Sequence, residues 1–402
     1  MPSRTQRVRA HVVTTKRSLL TAPPRTAPPG ACYHGGAFFE AIGEDFSRLA
    51  RRNEIINADV LDAWFPPAPA ALDALHRDLP WLLRTSPPTH CRGLITAIAQ
   101  TRGVAEESVV CGAGSSDLIF RALREWLHPG SRVLLLDPTY GEYAHVCEQV
   151  VGCHVSRIEL RREADYRVDL GELRARLAER FDLVILVNPN NPTGQYIPRA
   201  ELEPVLREAP AATRFWIDEA YLEYVDAAES LEQYAAASAN TFVCKSLSKV
   251  YALSGARAAY LVGAPDVVAR LRVLTPPWAV SLTAQLAAVR ALSSAAYYRE
   301  QYALTDVMRF ALAGAVRDID PQIETLGVGN FLLCHLPDHR PDAATVYARC
   351  VAHGVYIRDV SRLAPRLGPR VIRLAVKDQL TQRRMADVLA GALAVESVLA
   401  QT

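Results

Sequence analysis

The segment of this 402-residue chain that is best suited to chemistry is 246–257, where one lysine stands among small hydroxyl residues. Lys249 is flanked by Ser246 and Ser248, and Arg257 follows eight positions later. Hydroxyls and a guanidinium are the donors that a phosphate group needs, and a lysine amine can form a Schiff base with a carbonyl compound. The alternative is a solvated surface cluster. The chain has 45 basic residues but only four lysines: Lys16, Lys245, Lys249 and Lys377.

Two other segments place polar residues directly after apolar runs. The run at 183–187 leads into Asn-Pro-Asn-Asn-Pro-Thr-Gly, which contains Asn191, and the run at 215–217 leads into Asp218 and Tyr221. Such runs predict buried strands of a parallel sheet, and open α/β sheets bind ligands where their strands end. An aspartate there can keep a pyridine nitrogen protonated. A turn and a helix cap are the alternatives for each segment alone, but the three segments together predict a pyridoxal 5′-phosphate site.

On these motifs the chain resembles the class I/II aminotransferase family of fold type I, from about residue 34 to the C-terminus. It is most similar to the branch that contains histidinol-phosphate aminotransferases and threonine-phosphate decarboxylases. The resemblance implies a large domain with a mostly parallel, doubly wound sheet, a small C-terminal α/β domain, and a homodimer. It also implies Lys249 as the Schiff-base lysine, Asp218 on the pyridine nitrogen, Asn191 and Tyr221 on the phenolic oxygen, and Ser246, Ser248 and Arg257 on the phosphate.

Two upstream segments match the same family. A glycine loop with Gly114, Ser115 and Ser116 precedes an apolar helical pattern, and a loop that opens a helix presents free backbone N–H groups to an anion. The resemblance assigns these three residues to the cofactor phosphate. Tyr140 follows the apolar run at 132–136 and matches the aromatic residue that stacks on the pyridine ring. Without the other motifs, the loop reads as a helix cap and Tyr140 as a turn residue.

The composition describes a soluble protein, with 50% hydrophobic and 22% charged residues and a net charge of +2. Neither nucleic acid nor a membrane is expected as a partner. The expected partner is a small amino-acid substrate. The eight cysteines are scattered and form no CxxC pair, which predicts reduced thiols in a cytoplasmic enzyme and no metal site.

Four regions are predicted along the chain. Residues 1–30 contain no acidic residue and several prolines, which is typical of a disordered basic tail. Residues 31–70 form an N-terminal arm with a substrate loop, 71–295 the large cofactor-binding domain, and 296–402 the small domain. In the small domain we predict a helix at 306–316, strands at 330–336, 355–359 and 371–376, and a last helix from about Leu380.

Four residues are predicted at the substrate end. Arg373 matches the family arginine that pairs with the acidic group of the substrate, and Arg358 a second arginine of the phosphate-handling branch. The alternative for Arg358 is an exposed arginine paired with Asp359. His34 lies in a His-Gly-Gly segment like that of threonine-phosphate decarboxylases, and the Pro-Trp segment at 276–278 also resembles theirs. The family's Asn-x-Asn-Pro loop appears here as Asp-Val-Leu-Asp, and its second carboxylate, Asp62, suits a cationic or amide group of a substrate. It can also simply cap a turn.

The reaction type is less determined than the cofactor. The first hypothesis is an aminotransferase, because the segment at 218–224 reads like that of aminotransferases. The family's Arg-Tyr-Pro segment, whose tyrosine reaches the partner subunit's cofactor phosphate, appears here as Arg-Thr-Ser-Pro at 84–87. The rivals are an α-decarboxylase of a phosphorylated hydroxy-amino acid, a cyclase or lyase of natural-product assembly, and a cofactor-binding regulatory protein.

Overall fold

The computed structural model describes residues 34–361 and 363–394. The predicted tail at 1–30, together with Cys32, lies outside these residues. Within them the strands, in chain order, are β1 (Ile56–Asn57), β2 (Val109–Gly112), β3 (Arg132–Asp137), β4 (His154–Glu159), β5 (Leu183–Val187), β6 (Arg214–Asp218), β7 (Thr241–Ser246), β8 (Ala259–Val262), β9 (Glu324–Leu326), β10 (Phe331–His335), β11 (Val355–Tyr356), β12 (Arg358–Asp359) and β13 (Val371–Ala375).

Helices cover both faces of the larger sheet and flank the smaller one. In the described residues they are α1 (Phe38–Ile42), α2 (Pro69–Arg84), α3 (Arg92–Arg102), α4 (Ser115–Trp126), α5 (Gly141–His145), α6 (Leu170–Leu177), α7 (Arg199–Glu208), α8 (Glu232–Ala237), α9 (Leu247–Val250), α10 (Pro265–Val273), α11 (Leu282–Leu292), α12 (Ala295–Ile319), α13 (Ala343–Ala352) and α14 (Gln379–Leu393).

The larger sheet has seven strands in the order β2-β8-β7-β6-β5-β3-β4. Only β8 runs against its neighbours, and the pairs from β7 to β4 are all parallel. Every residue of β5 is buried, as are four of the five in β6, because helices cover both faces of the sheet. The prediction of buried parallel strands at 183–187 and 215–217 is therefore confirmed.

The register of this sheet brings three strand ends together. Val187 at the end of β5 pairs with Asp218 at the end of β6, and Asp218 pairs with Cys244 of β7. The carboxyl ends of parallel strands lie at one edge of a sheet, so the polar residues that follow each strand meet there. Three loops distant in sequence therefore meet at one edge.

The smaller sheet is antiparallel in the order β12-β13-β10-β9, and β1 pairs separately with β11. The strand predicted at 355–359 is thus two strands, since Val355 and Tyr356 pair with β1 and Arg358 and Asp359 pair with β13. The helix predicted at 306–316 is longer and spans the whole of α12. The predicted strands at 330–336 and 371–376 are confirmed to within a residue at each end.

Three buried apolar clusters form the core, two of them on the faces of the larger sheet. The third joins α2, α3, α11 and α12 to the smaller sheet. In the ranges 34–361 and 363–394 no helix is long and apolar enough to cross a membrane, and no group of three or more His, Cys, Asp or Glu side chains is arranged to hold a metal ion. The seven cysteines of these ranges are buried free thiols.

Candidate functional site

A cavity of about 350 Å³ opens where the carboxyl edge of the larger sheet meets the smaller sheet. Loops after β3, β5, β6 and β7 line one side, and β12 and β13 line the other. Twelve residues predicted for the site line it: His34, Ser115, Ser116, Tyr140, Asn191, Asp218, Tyr221, Ser246, Lys249, Arg257, Arg358 and Arg373. Three others lie beside it, namely Gly114, Ser248 and Asp62.

Lys249 lies in the short helix α9 that follows β7, and its amine faces the cavity. Ser246 begins this helix, and its hydroxyl accepts a hydrogen bond from the N–H of Ser248. Burial lowers the pKa of the Lys249 amine, and Asp62, with Oδ1 3.0 Å from Nζ, opposes this shift. A lysine with a lowered pKa has more free amine at neutral pH, which is what attack on a carbonyl carbon requires.

Lys245, the lysine nearest to Lys249 in sequence, is buried within β7 and does not line the cavity. Its ammonium is within 2.9 Å of Glu219 and 3.1 Å of Glu223, and only 2% of its side chain is exposed. Burial lowers its pKa, but these carboxylates and Glu232 outweigh burial and raise it. Lys245 is thus a charged structural group, and Lys249 is the one lysine of the described residues that lines the cavity.

Asp218 ends β6 at the floor of the cavity, and its carboxylate is held at both oxygens. Oδ2 accepts a hydrogen bond of 2.6 Å from the hydroxyl of Tyr143, and Oδ1 accepts one of 3.0 Å from the N–H of Ala220. The indole of Trp216 donates in turn to the Tyr143 hydroxyl at 2.8 Å. Burial raises the pKa of Asp218 to about 6, although both hydrogen bonds oppose it. The carboxylate is therefore fixed in place and suited to bind a cationic N–H.

The opposite end of the cavity is suited to an anion. Helix α4 begins at Ser115, with Ser116 next in its first turn, so its free N–H groups lie at the cavity wall. Gly114 takes φ 89°, and a Cβ there would lie 2.4 Å from the Arg257 guanidinium, so glycine permits this close approach. Arg257 itself has a left-handed backbone at φ 58° and bonds the Ser248 hydroxyl at 3.4 Å.

Glu142 is a buried residue of the site that sequence reasoning missed. Its Oε2 accepts hydrogen bonds from the hydroxyls of Tyr140 at 2.7 Å and Ser116 at 3.0 Å, and lies 4.0 Å from Nε2 of His34. It connects the predicted ring-stacking tyrosine to the predicted phosphate end. Tyr143, the partner of Asp218, was also missed. Glu142 and Tyr143 lie two and three positions after Tyr140, in the segment Pro-Thr-Tyr-Gly-Glu-Tyr at 138–143. Their closeness in sequence to a predicted site residue was the available signal.

The third wall carries two buried arginines from neighbouring strands of the smaller sheet. Arg373 donates to Oδ1 of Asn191 at 2.6 Å and to the carbonyl of Asp59 at 2.9 Å. Arg358 pairs with the Asp59 carboxylate at 2.6 Å, not with Asp359, and only 7% of its side chain is exposed. Burial and the neighbouring Arg358 lower the pKa of Arg373 to about 10. Two guanidiniums at one wall suit a carboxylate or a phosphate.

The remaining predicted substrate residues lie nearer the cavity mouth. The His34 side chain is about half exposed there. Trp64, which accompanies Asp62 in sequence, donates its indole N–H to Thr305 of α12 at 2.8 Å, so it serves to attach this loop to the long helix. Thr85 ends α2, and neither it nor Ser86 is among the residues that line the cavity.

Known proteins resemble this chain in sequence and in fold. The family model of aminotransferase class I and II matches residues 61–390. Histidinol-phosphate aminotransferase of Moorella thermoacetica is 30% identical over 301 residues, covering 73% of this chain and 74% of that protein. The histidinol-phosphate aminotransferase structure from Sinorhizobium meliloti, in complex with pyridoxal-5'-phosphate, has a TM-score of 0.76 at 22% identity, covering 86% and 93% of the two chains. L-threonine-O-3-phosphate decarboxylase from Porphyromonas gingivalis has a TM-score of 0.73 at 20% identity, covering 84% and 99%.

Proposed function

The chain belongs to the class I and II aminotransferase family, and from this premise we propose that it transfers the amino group of an amino acid or phosphorylated amino compound with pyridoxal 5′-phosphate as its cofactor. One observation carries the proposal. The amine of Lys249, the carboxylate of Asp218 and the anion-binding end at Ser115 and Arg257 line a single cavity of about 350 Å³. The cofactor has three matching groups: an aldehyde, a pyridine nitrogen and a phosphate.

The residues present fit this cofactor in their chemistry. The Asp218 carboxylate is held by the Tyr143 hydroxyl and a backbone N–H, so it is presented to the cavity as an acceptor of fixed orientation for a ring N–H. The start of α4, the hydroxyls of Ser116 and Ser246, and the Arg257 guanidinium supply donors and positive charge for the phosphate. When bound, pyridoxal phosphate supplies an electron sink for the α-carbon of the substrate.

The chain's own side chains supply the rest of the mechanism. Nζ of Lys249 takes a proton from the α-carbon of the substrate and returns it, since it is the one lysine amine of the described residues at the cavity and its pKa is lowered. Arg373 binds the acidic group of the substrate with its guanidinium fork, and its bond to Asn191 fixes the orientation of that fork. The orientation of the substrate selects which bond of the α-carbon reacts. Tyr221, buried beside Asp218, has its pKa raised by burial and so remains a neutral hydrogen-bond donor at neutral pH.

Transamination is favoured over decarboxylation by the relatives of higher sequence identity, which are named histidinol-phosphate aminotransferases. Arg358, buried beside Arg373 and paired with Asp59, places a second guanidinium at this wall, which suits a phosphorylated substrate. We therefore propose a substrate with both an amino group and a phosphate or carboxylate. The buried free thiols support a reducing compartment such as the cytoplasm.

The reaction type is tested by mixing the cofactor-loaded enzyme with each of a panel of amines: histidinol phosphate, glutamate, phosphothreonine, phosphoserine and basic amino acids. An aminotransferase is expected to convert the cofactor to its amine form, seen by absorbance, and to recover only when a keto acid is added. Carbon dioxide should not appear. Release of one carbon dioxide per amine product from a phosphorylated amino acid would instead identify a decarboxylase.

We also propose a homodimer, in which residues 84–87 reach the partner's site. Leu79 and Leu83 of α2, one helical turn apart just before this segment, are 41% and 73% exposed, which is unfavourable unless another surface covers them. Leu83→Asp is expected to raise the dimer dissociation constant by about tenfold or more, since burying a carboxylate without a partner is costly. Sedimentation across a concentration series measures this.

The matched control for the dimer is Leu380→Asp, a leucine that is 78% exposed on α14. It should leave sedimentation unchanged. A wild-type protein that sediments as a monomer at assay concentration and still turns over substrate would contradict the proposed dimer.

A further inference from the structure

Asp62 forms an ion pair with the lysine on which the proposed function depends. Its Oδ1 lies 3.0 Å from Nζ of Lys249, although the two residues are 187 positions apart in sequence. The Ser254 hydroxyl lies 3.5 Å from the same Nζ. Asp62 does not line the cavity itself but approaches the amine from beside it. Asp62 therefore contacts Lys249 directly, from the same loop in which Asp59 holds Arg358 and Arg373.

The backbone that carries Asp62 is attached to the smaller sheet. The N–H of Ala58 donates to the carbonyl of Tyr356 at 2.7 Å, and the carbonyl of Ala58 accepts from Ala375 at 2.9 Å. Asn330 donates its side-chain amide to the carbonyl of Leu61 at 2.9 Å. The residue just before Asp62 is thus held by a buried side chain, so the carboxylate is presented by an anchored segment.

We propose that Asp62 is a positioning residue that holds the proton of Lys249. In this role the proton stays on Nζ of Lys249, which donates it in a hydrogen bond to Oδ1 of Asp62, and no covalent bond forms or breaks. The inference rests on the proposed function, because that function makes Lys249 the proton carrier.

The surrounding charges determine what Asp62 does to Lys249. Burial lowers the pKa of the amine, the carboxylate of Asp62 raises it, and the guanidiniums of Arg257 and Arg373 lower it further. Among these groups, Asp62 is the one that raises the pKa of Lys249. For Asp62 itself, burial raises the pKa, but Lys249 and the Ser254 hydroxyl outweigh burial and lower it. The carboxylate therefore stays ionised at neutral pH and raises the protonated fraction of the Lys249 amine above what burial alone would leave.

Lys377, two residues after β13, is a second buried amine that is influenced by the charge of Asp62. Burial lowers the pKa of Lys377 to about 8, Asp62 opposes that shift, and Lys249 adds to it. Asp62 thus contacts one buried amine, Lys249, and raises the pKa of a second, Lys377, through its charge. Removing the charge of Asp62 should lower the pKa of both lysines. The test therefore has two readouts.

The test uses the cofactor-free, full-length protein and acetic anhydride, which acylates free amines. Labelling of each lysine peptide is followed by mass spectrometry across a pH series. In Asp62→Asn the pH midpoint for labelling Lys249 is expected to fall by about one unit, because an opposite charge within hydrogen-bond distance raises an amine's pKa by about that much. The Lys377 midpoint should fall in the same direction.

Three further variants make the result specific. Asp62→Glu keeps the charge and should restore part of the wild-type midpoint. Asp62→Ser removes the same charge with a different side chain and should repeat the downward shift. Asp73→Asn removes one exposed carboxylate elsewhere on the surface and should change neither midpoint. A Lys249 midpoint that stays at the wild-type value in both Asp62→Asn and Asp62→Ser overturns the inference, as does an equal shift in Asp73→Asn.

The labelling result and the test of the proposed function can fail independently of each other. Acylation of the cofactor-free protein does not depend on which reaction the enzyme catalyses. If the midpoint shifts as expected but no amine donor converts the cofactor, the proposed function fails and the ion pair stands. If the cofactor is converted but the midpoint does not move, Lys249 acts without Asp62.

Discussion

Lys249→Arg is expected to lose the covalent attachment of pyridoxal phosphate and to reduce amino-group transfer by about 10⁴-fold or more, because both the covalent bond and the proton transfer depend on this amine. Arginine retains a positive charge toward Asp62, but its guanidinium does not deprotonate and cannot attack a carbonyl carbon. The variant therefore separates the chemistry of the amine from its charge.

The measurement is borohydride reduction of the cofactor-loaded protein, followed by identification of the modified peptide. With only four lysines in the chain, each falls in a distinct peptide. The wild-type protein should carry the adduct on Lys249, and so should the control Lys377→Arg, which changes the other buried lysine that the charge of Asp62 influences. An adduct on Lys245 or Lys377 in the wild-type protein would show that the lysine has been wrongly identified.

Asp218→Asn is expected to keep the fold and bind the cofactor but to lose about 10³-fold in rate, which is typical for removal of one group that stabilises developing charge. The amide retains an oxygen that can accept from the Tyr143 hydroxyl, so the local hydrogen bond survives. Its charge is gone, however, and a neutral amide cannot keep a pyridine nitrogen protonated. Initial rates at saturating donor, with thermal unfolding as a check on folding, measure the effect.

The pH dependence of cofactor binding gives this prediction a second readout. Because burial raises the pKa of Asp218 to about 6, the carboxylate is ionised above that pH and neutral below it. Wild-type affinity for the cofactor should therefore fall as pH decreases through about 6, and Asp218→Asn should lack this fall. The control is Asp226→Asn, which changes an exposed carboxylate eight positions after Asp218. This variant should behave like the wild-type protein. A near-normal rate in Asp218→Asn would mean that another group protonates the ring nitrogen.

Much of the cofactor end could be predicted from sequence because its residues follow recognisable local patterns. Asn191 and Asp218 each follow an apolar run that forms a fully covered parallel strand, and Lys249 and Arg257 lie in one short segment. In a parallel sheet, residues after successive strands share one edge, so their proximity follows from strand type alone. The predicted buried strands at 183–187 and 215–217 are accordingly present in the structure.

Element boundaries after residue 295 were harder to predict because they depend on long-range pairing. The run at 355–359 is uniformly buried, so its side chains do not reveal that its first residues pair with β1 and its last with β13. Similarly, the first turns of α12 contain Tyr298 and Tyr302, whose hydroxyls bond to the carbonyls of Tyr251 and Val250. These tertiary contacts extend the helix beyond the segment that its apolar spacing predicts.

The sequence by itself thus determined the family, the cofactor chemistry and the strand ends that carry it, because those depend on residue types at short spacing. Only the tertiary structure decided which side chains oppose one another: Asp62 beside Lys249, Arg358 beside Asp59, and Tyr143 beside Asp218. Such pairs join loops far apart in the chain. Their distances are set by strand order, register and the packing of the two sheets, none of which local spacing specifies.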